Sequence, residues 1–155
     1  MKNRSQTIAG VMIKSLIRHP DERGFFEEII RVSDPFFAEG FGQLSRSSMH
    51  RGVIKAWHIH LTQVDWWYCA SGTLKVALYD NRNDSLTYQK LMQLTLGENG
   101  DEAVLKIPPQ IAHGLKVTSE SAELFYITSK VYNPTGEEGR IPEDDPEIGF
   151  DWKNL

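Results

Sequence analysis

The apolar positions of this chain come in short bursts. Most runs are four to eight residues long, rich in Val, Ile, Phe, Tyr and Trp, and bounded by Gly, Asn, Asp or Ser. Leu74, Val76 and Leu78 alternate with Lys75, Ala77 and Tyr79. Met92, Leu94 and Leu96 alternate with Gln93 and Thr95, and Ala103, Leu105 and Ile107 repeat the pattern up to Pro108. A period of two is that of a strand with one buried face, whereas helical periodicity is scarce here. The pattern predicts strands over residues 11–16, 25–32, 41–49, 53–60, 66–70, 74–79, 92–96, 103–107, 112–117 and 123–128. The second carries large residues on both faces and is expected to be buried on both sides, after a turn at 19–24. Many short strands separated by turn signals predict an all-β double-sheet jelly roll. No repeat or linker interrupts residues 1–155, which read as one domain. The acidic, turn-rich segment from Pro134 to Pro146 reads as a solvated loop, with a lid over a site as the alternative.

Composition narrows the function. With 40% hydrophobic and 25% charged residues among 155, the chain resembles an ordinary soluble globular protein. A net charge of −4 argues against nucleic-acid binding, which calls for a basic surface. The single cysteine, Cys69, excludes an internal disulfide and a paired-cysteine zinc site. It lies in the apolar run WWYCA and reads as a packing residue. No window approaches the 18 or so apolar residues of a membrane helix, and the N-terminus has no long apolar stretch, so a cytoplasmic protein is expected.

Candidate chemistry concentrates in residues 52–72, GVIKAWHIHLTQVDWWYCASG. His58 and His60 are two apart and so share one strand face. Asp65 follows after what reads as a turn, Gly72 closes what reads as a hairpin, and PPQIAHG later supplies His113. Two readings follow. His58, His60, Asp65 and His113 are a plausible ligand set for a divalent transition metal. Alternatively, a histidine removes a proton beside a carbonyl and a tyrosine returns one from the other side, with Tyr132 of KVYNP expected at a barrel mouth. Arg23, Gln43, Arg46 and Lys55 lie near strand ends, where they can hold a phosphate or sugar hydroxyls. Trp57, Trp66 and Trp67 read mainly as core, with one able to stack on a flat ligand face.

These residues resemble a known pattern. The 52–72 stretch together with PPQIAH, ending at His113, is similar to the two cupin motifs. The chain from about residue 10 to Trp152 resembles the dTDP-4-dehydrorhamnose 3,5-epimerase family, through DERGFFEE, GVIKAWH, residues 72–82, 107–114, 126–134 and 145–152. The resemblance implies a cupin-type double-stranded β-helix and a homodimer paired through N-terminal strands. It implies an isomerase acting on a dTDP-4-keto-6-deoxyhexose without metal or organic cofactor. By position, His58 would be the base and Tyr132 the acid. Arg23, Phe26 and Glu28 would bind the nucleotide-sugar across the dimer interface, and Gln43 would touch the nucleotide. Lys55 and His113 would stabilise the enolate.

The departures from that family are as specific. Lys55 stands where the family has arginine, His60 where it has glutamine, Asp65 where it has a lysine, and Ser45 where it has asparagine. The family's aspartate partner of the catalytic histidine falls beyond Leu155, so the partner of His58 is expected elsewhere or not at all. His60 and Asp65 shift the pattern toward a metal-dependent cupin isomerase or dioxygenase. A non-catalytic sugar-binding cupin is the further alternative.

Overall fold

In the computed structural model, residues 7–155 are described, and the alternating segments form twelve strands. They are β1 (Met12–Ser15), β2 (His19–Asp21), β3 (Gly24–Phe26), β4 (Gln43–His50), β5 (Ile54–His60) and β6 (Asp65–Ser71). The others are β7 (Thr73–Asp80), β8 (Leu91–Gly97), β9 (Ala103–Ile107), β10 (Ile111–Val117), β11 (Ser121–Thr128) and β12 (Glu138–Arg140). One sheet runs β1-β9-β6-β11-β4, the other β12-β5-β10-β7-β8, and every pairing is antiparallel. Together they make the jelly roll that the strand pattern predicts. No helix among the described residues is long and apolar enough to cross a membrane.

Strand alternation sorts the side chains into layers. Leu74, Val76 and Leu78 of β7, Leu105 and Ile107 of β9, and Leu115 and Val117 of β10 meet between the sheets. Trp66 and Val104 face away from that core and pack with Phe36 and Phe37 of a short 3-10 turn. Outside the other sheet, Trp57, Ala112 and Trp152 form a third cluster, with the Trp57 and Trp152 rings 5.0 Å apart. Gly114 sits under this cluster. A Cβ there would lie 2.6 Å from the Ala56 Cβ and 2.7 Å from Trp152, so the C-terminal segment closes directly onto β10. Cys69 is buried and unpaired, as its apolar setting suggested.

Three expectations are corrected. The strand over 25–32 shrinks to Gly24–Phe26, and Phe25 and Phe26 are exposed. Among the described residues its ladder partner is β2, formed from part of the expected turn. Arg18 instead lies 4.1 Å over the Phe25 ring. Gly72 does not close a paired hairpin. It turns the chain from β6 in one sheet to β7 in the other, at a positive φ of 76° that suits glycine. Asp65, after the turn as expected, is the first residue of β6. The 134–146 segment is not merely a solvated loop, because it contributes β12, which pairs with β5 along the site.

Candidate active site

A cavity of about 260 Å³ opens between the two sheets. One wall carries Lys55, His58 and His60 from β5 with His113 and Leu115 from β10. The opposite wall carries Gln43 and Ser47 from β4, Asp65 and Trp67 from β6, and Tyr126 from β11. Tyr132 lines the rim, where the chain has left β11. The cavity exists because the inward rows turn polar here. The β10 row reads Ile111, His113, Leu115, Val117, and the one polar member faces β5.

A bulge aims the β5 side chains. Lys55 pairs with Leu115 and His58 with His113, so three steps on β5 match two on β10. The extra residue leaves Ala56 and Trp57 both on the outer cluster and brings Lys55 and His58 to the same cavity. His58 and His60 then follow at the ordinary strand period.

Each imidazole has a distinct environment. His113 is 3% exposed, and its Nδ1 lies 2.9 Å from the Ile111 carbonyl. A carbonyl only accepts, so Nδ1 carries the hydrogen and Nε2 of the neutral ring is a lone-pair acceptor. Burial, aided by His60, holds the His113 pKa down at about 3. Its ring is edge-on to Trp67 at 5.3 Å and stacked on His60 at 5.4 Å. His58 is half-buried, and its Nδ1 lies 3.2 Å from Glu138 Oε1. Burial lowers the His58 pKa below the ordinary imidazole value; Glu138 opposes the shift, while Arg140, His60 and Lys55 add to it. The imidazole is therefore neutral near pH 7.

Asp65 is buried and accepts from Gln63 Nε2 at 2.8 Å and from Trp67 Nε1 at 3.2 Å. Burial raises its pKa, against the opposing pull of His60 and these two donors. His60 Nε2 lies 3.8 Å from Asp65 Oδ2, and His60 Nδ1 is buried without a hydrogen-bond partner. One ligand atom from each of His60, Asp65 and His113 can be chosen so that all lie within 4.8 Å of one another. His58 stands outside that group and faces Glu138 instead.

At the mouth, Lys55 Nζ donates to Ser47 Oγ at 2.7 Å. The Tyr132 backbone N–H donates to Gln43 Oε1 at 3.0 Å, and Gln43 Nε2 donates to Ser45 Oγ at 3.0 Å. The Tyr132 side chain is 65% exposed. Arg23, Phe26 and Glu28 do not reach this cavity. Arg23 pairs with Asp21, Phe26 stacks on His19, and Glu28 pairs with Arg31. Arg46 points to the other face of β4 and pairs with Glu123. The pattern reading missed Glu138 and Arg140, which hang over the cavity from β12, and Gln63, which orients Asp65. The 134–146 run has a single large apolar residue, Ile141, and no alternation, so nothing in its pattern marks one glutamate above the others.

The family model described as dTDP-4-dehydrorhamnose 3,5-epimerase matches residues 5–155. The spore coat polysaccharide biosynthesis protein SpsL of Bacillus subtilis is 44% identical over 147 residues, covering 94% of this chain and 96% of SpsL. A crystal structure of a dTDP sugar isomerase from Desulfovibrio desulfuricans superposes with a TM-score of 0.88 at 31% identity, covering 96% of this chain and 94% of that one. The 3,5-epimerase of Legionella pneumophila, solved in complex with dTDP-4-keto-L-rhamnose, gives 0.86 at 26% identity, with 97% and 82% covered.

Proposed function

The chain belongs to the dTDP-4-dehydrorhamnose 3,5-epimerase family and is an isomerase of the epimerase type, and on that premise we propose that it admits a dTDP-4-keto-6-deoxyhexose to the inter-sheet cavity and inverts a carbon beside the 4-keto group. His58 takes the proton from that carbon; the lowered pKa keeps its ring neutral and able to act as a base. The resulting enolate oxygen is met by the Lys55 ammonium, which trades its Ser47 contact for the developing charge. Tyr132 returns a proton on the opposite face. His113 serves in a different way from the one its position in the family suggests. Its Nδ1 donates to Ile111, so its Nε2 accepts a hydrogen bond from a substrate hydroxyl and has no hydrogen to offer an enolate.

The observation that carries this reading is convergence. His58 and Lys55 come from one sheet and Tyr132 from the chain leaving the other, and all three line one cavity. The Legionella relative binds a dTDP-4-keto sugar, which supports the substrate class. Arg23, Phe26 and Glu28 sit on the exposed segment around β2 and β3, where they can serve the cavity of a second copy, in keeping with a homodimer. Sedimentation of the purified protein tests that pairing. The chemistry is tested by solvent deuterium: the intact protein should wash deuterium into a dTDP-4-keto-6-deoxyhexose. Absence of exchange, or exchange unchanged in His58→Ala, refutes the assignment.

A second reading rests on the floor of the cavity. His60, Asp65 and His113 suit a divalent transition metal, with the His113 tautomer fixed from behind by Ile111 as metal-binding histidines usually are. Elemental analysis of untagged protein should then find near-stoichiometric metal that is lost in His60→Ala; a content below about a tenth of an equivalent removes this reading.

A further inference from the structure

β12, the edge strand beside β5, places a carboxylate over the cavity. Glu138 pairs with His60 and Arg140 with His58, so the strand runs antiparallel along the histidine-bearing half of β5. Its backbone is fastened at both ends. The Leu61 N–H donates to the Glu137 carbonyl at 3.1 Å, and the Trp57 and Ile141 backbones exchange two bonds of 3.0 and 3.1 Å. Glu137 adds a side-chain anchor, accepting the Thr62 and Gln63 backbone N–H groups at 2.7 Å each. The Glu138 side chain is 24% exposed and bends back over the cavity to the His58 Nδ1. Arg140 Nη2 lies 3.5 Å from the same Glu138 oxygen and restrains it from the solvent side.

We propose that Glu138 is the positioning residue of His58, fixing the imidazole in the tautomer that can act as a base. A carboxylate only accepts, so the nitrogen facing it carries the hydrogen. That leaves Nε2, across the ring, with the free lone pair. Without the carboxylate, an imidazole at the cavity wall is free to place its hydrogen on either nitrogen, and the Nε2–H form carries its lone pair on Nδ1 rather than on the nitrogen across the ring from β12. Glu138 also stabilises the imidazolium that forms once the proton has moved, from 3.2 Å away. The inference rests on the reading of His58 as the base. It supplies that base with a carboxylate partner from β12.

The test pairs kinetics with a measurement that needs no turnover. Glu138→Ala is expected to lower kcat by about 10- to 1000-fold with KM within about 3-fold, as for orienting carboxylates elsewhere. Glu138→Gln keeps an acceptor of the same length without the charge, and should fall between wild type and the alanine variant. Nitrogen-15 NMR of the His58 ring should show Nδ1–H in the wild type and in Glu138→Gln, and a shift toward Nε2–H in Glu138→Ala. An Nε2–H ring in the wild type, or a kcat for Glu138→Ala within about 2-fold of wild type, overturns the proposal. If wild-type protein fails to exchange deuterium, the base reading fails by itself, and the ring tautomer still decides whether Glu138 positions His58.

Discussion

Lys55 and His58 are three residues apart on β5, yet they stand opposite Leu115 and His113, which are two apart on β10. In a regular strand an odd spacing sends side chains to opposite faces. The bulge absorbs the extra residue at Ala56 and Trp57, which turn outward together, and sets an ammonium and an imidazole on one cavity wall. A base and a cation for the charge that the base creates are thus delivered by a single irregularity.

Loss of that cation should be felt in the chemical step. Lys55→Ala is expected to lower kcat on a dTDP-4-keto-6-deoxyhexose by about 10²- to 10³-fold, the usual effect of removing one oxyanion donor. Lys55→Arg should retain most of the activity, because the charge remains and the side chain is exposed at the mouth. Equal kcat for Lys55→Ala and wild type would exclude Lys55 from the enolate.

Tyr132→Phe should separate removal of the proton from its return. With His58 intact the enolate still forms, and it is reprotonated from the face it came from. Deuterium should therefore enter unepimerised substrate while epimer formation falls by about 10²- to 10⁴-fold. NMR of the recovered sugar distinguishes the two. Since the tyrosine side chain is largely exposed, the melting temperature should not move.

His113 makes stability depend on pH. Its pKa drops from an ordinary 6.5 to about 3 in the folded chain, with burial as the main cause. The unfolded chain therefore binds a proton that the folded chain refuses. Stability from this group is complete above about pH 6.5 and is lost as pH falls toward 3, a few kcal/mol across the whole span. Asp65 works the other way, since its raised pKa favours the fold at low pH and that share is lost as pH rises through its folded value. Melting curves between pH 7.5 and 5 should show the midpoint falling with acid, and His113→Gln should flatten the slope. An unchanged slope in the variant would mean that another group governs the acid limb.

Much of the scaffold was legible from alternation alone. The strands from β4 to β11 fall within a few residues of their predicted places, because each has a covered face that the apolar period records. The segment after Gly24 misled for the same reason: Phe25 and Phe26 are apolar but face solvent, and periodicity cannot tell an apolar residue that is covered from one that is not. In the site, the shared face of His58 and His60 followed from spacing. The bulge that recruits Lys55 did not, since register is a property of two strands. The His113 tautomer and the Glu138 contact were illegible too. One depends on which carbonyl lies beside a ring nitrogen, the other on a strand of three residues too short to leave a pattern.

The position of β12 has a consequence for solubility. It is the outermost member of its sheet, and without it β5 would present a free row of backbone N–H and C=O groups to any passing chain. Exposed strand margins of that kind invite pairing between molecules, and a very short terminal strand carrying charged residues is a common way to prevent it. Here Glu138 and Arg140 supply the charges on either side of Gly139. The strand that reaches over the histidines thus also covers the β5 edge against strand pairing with other chains, and variants that loosen it are expected to aggregate as well as to lose turnover.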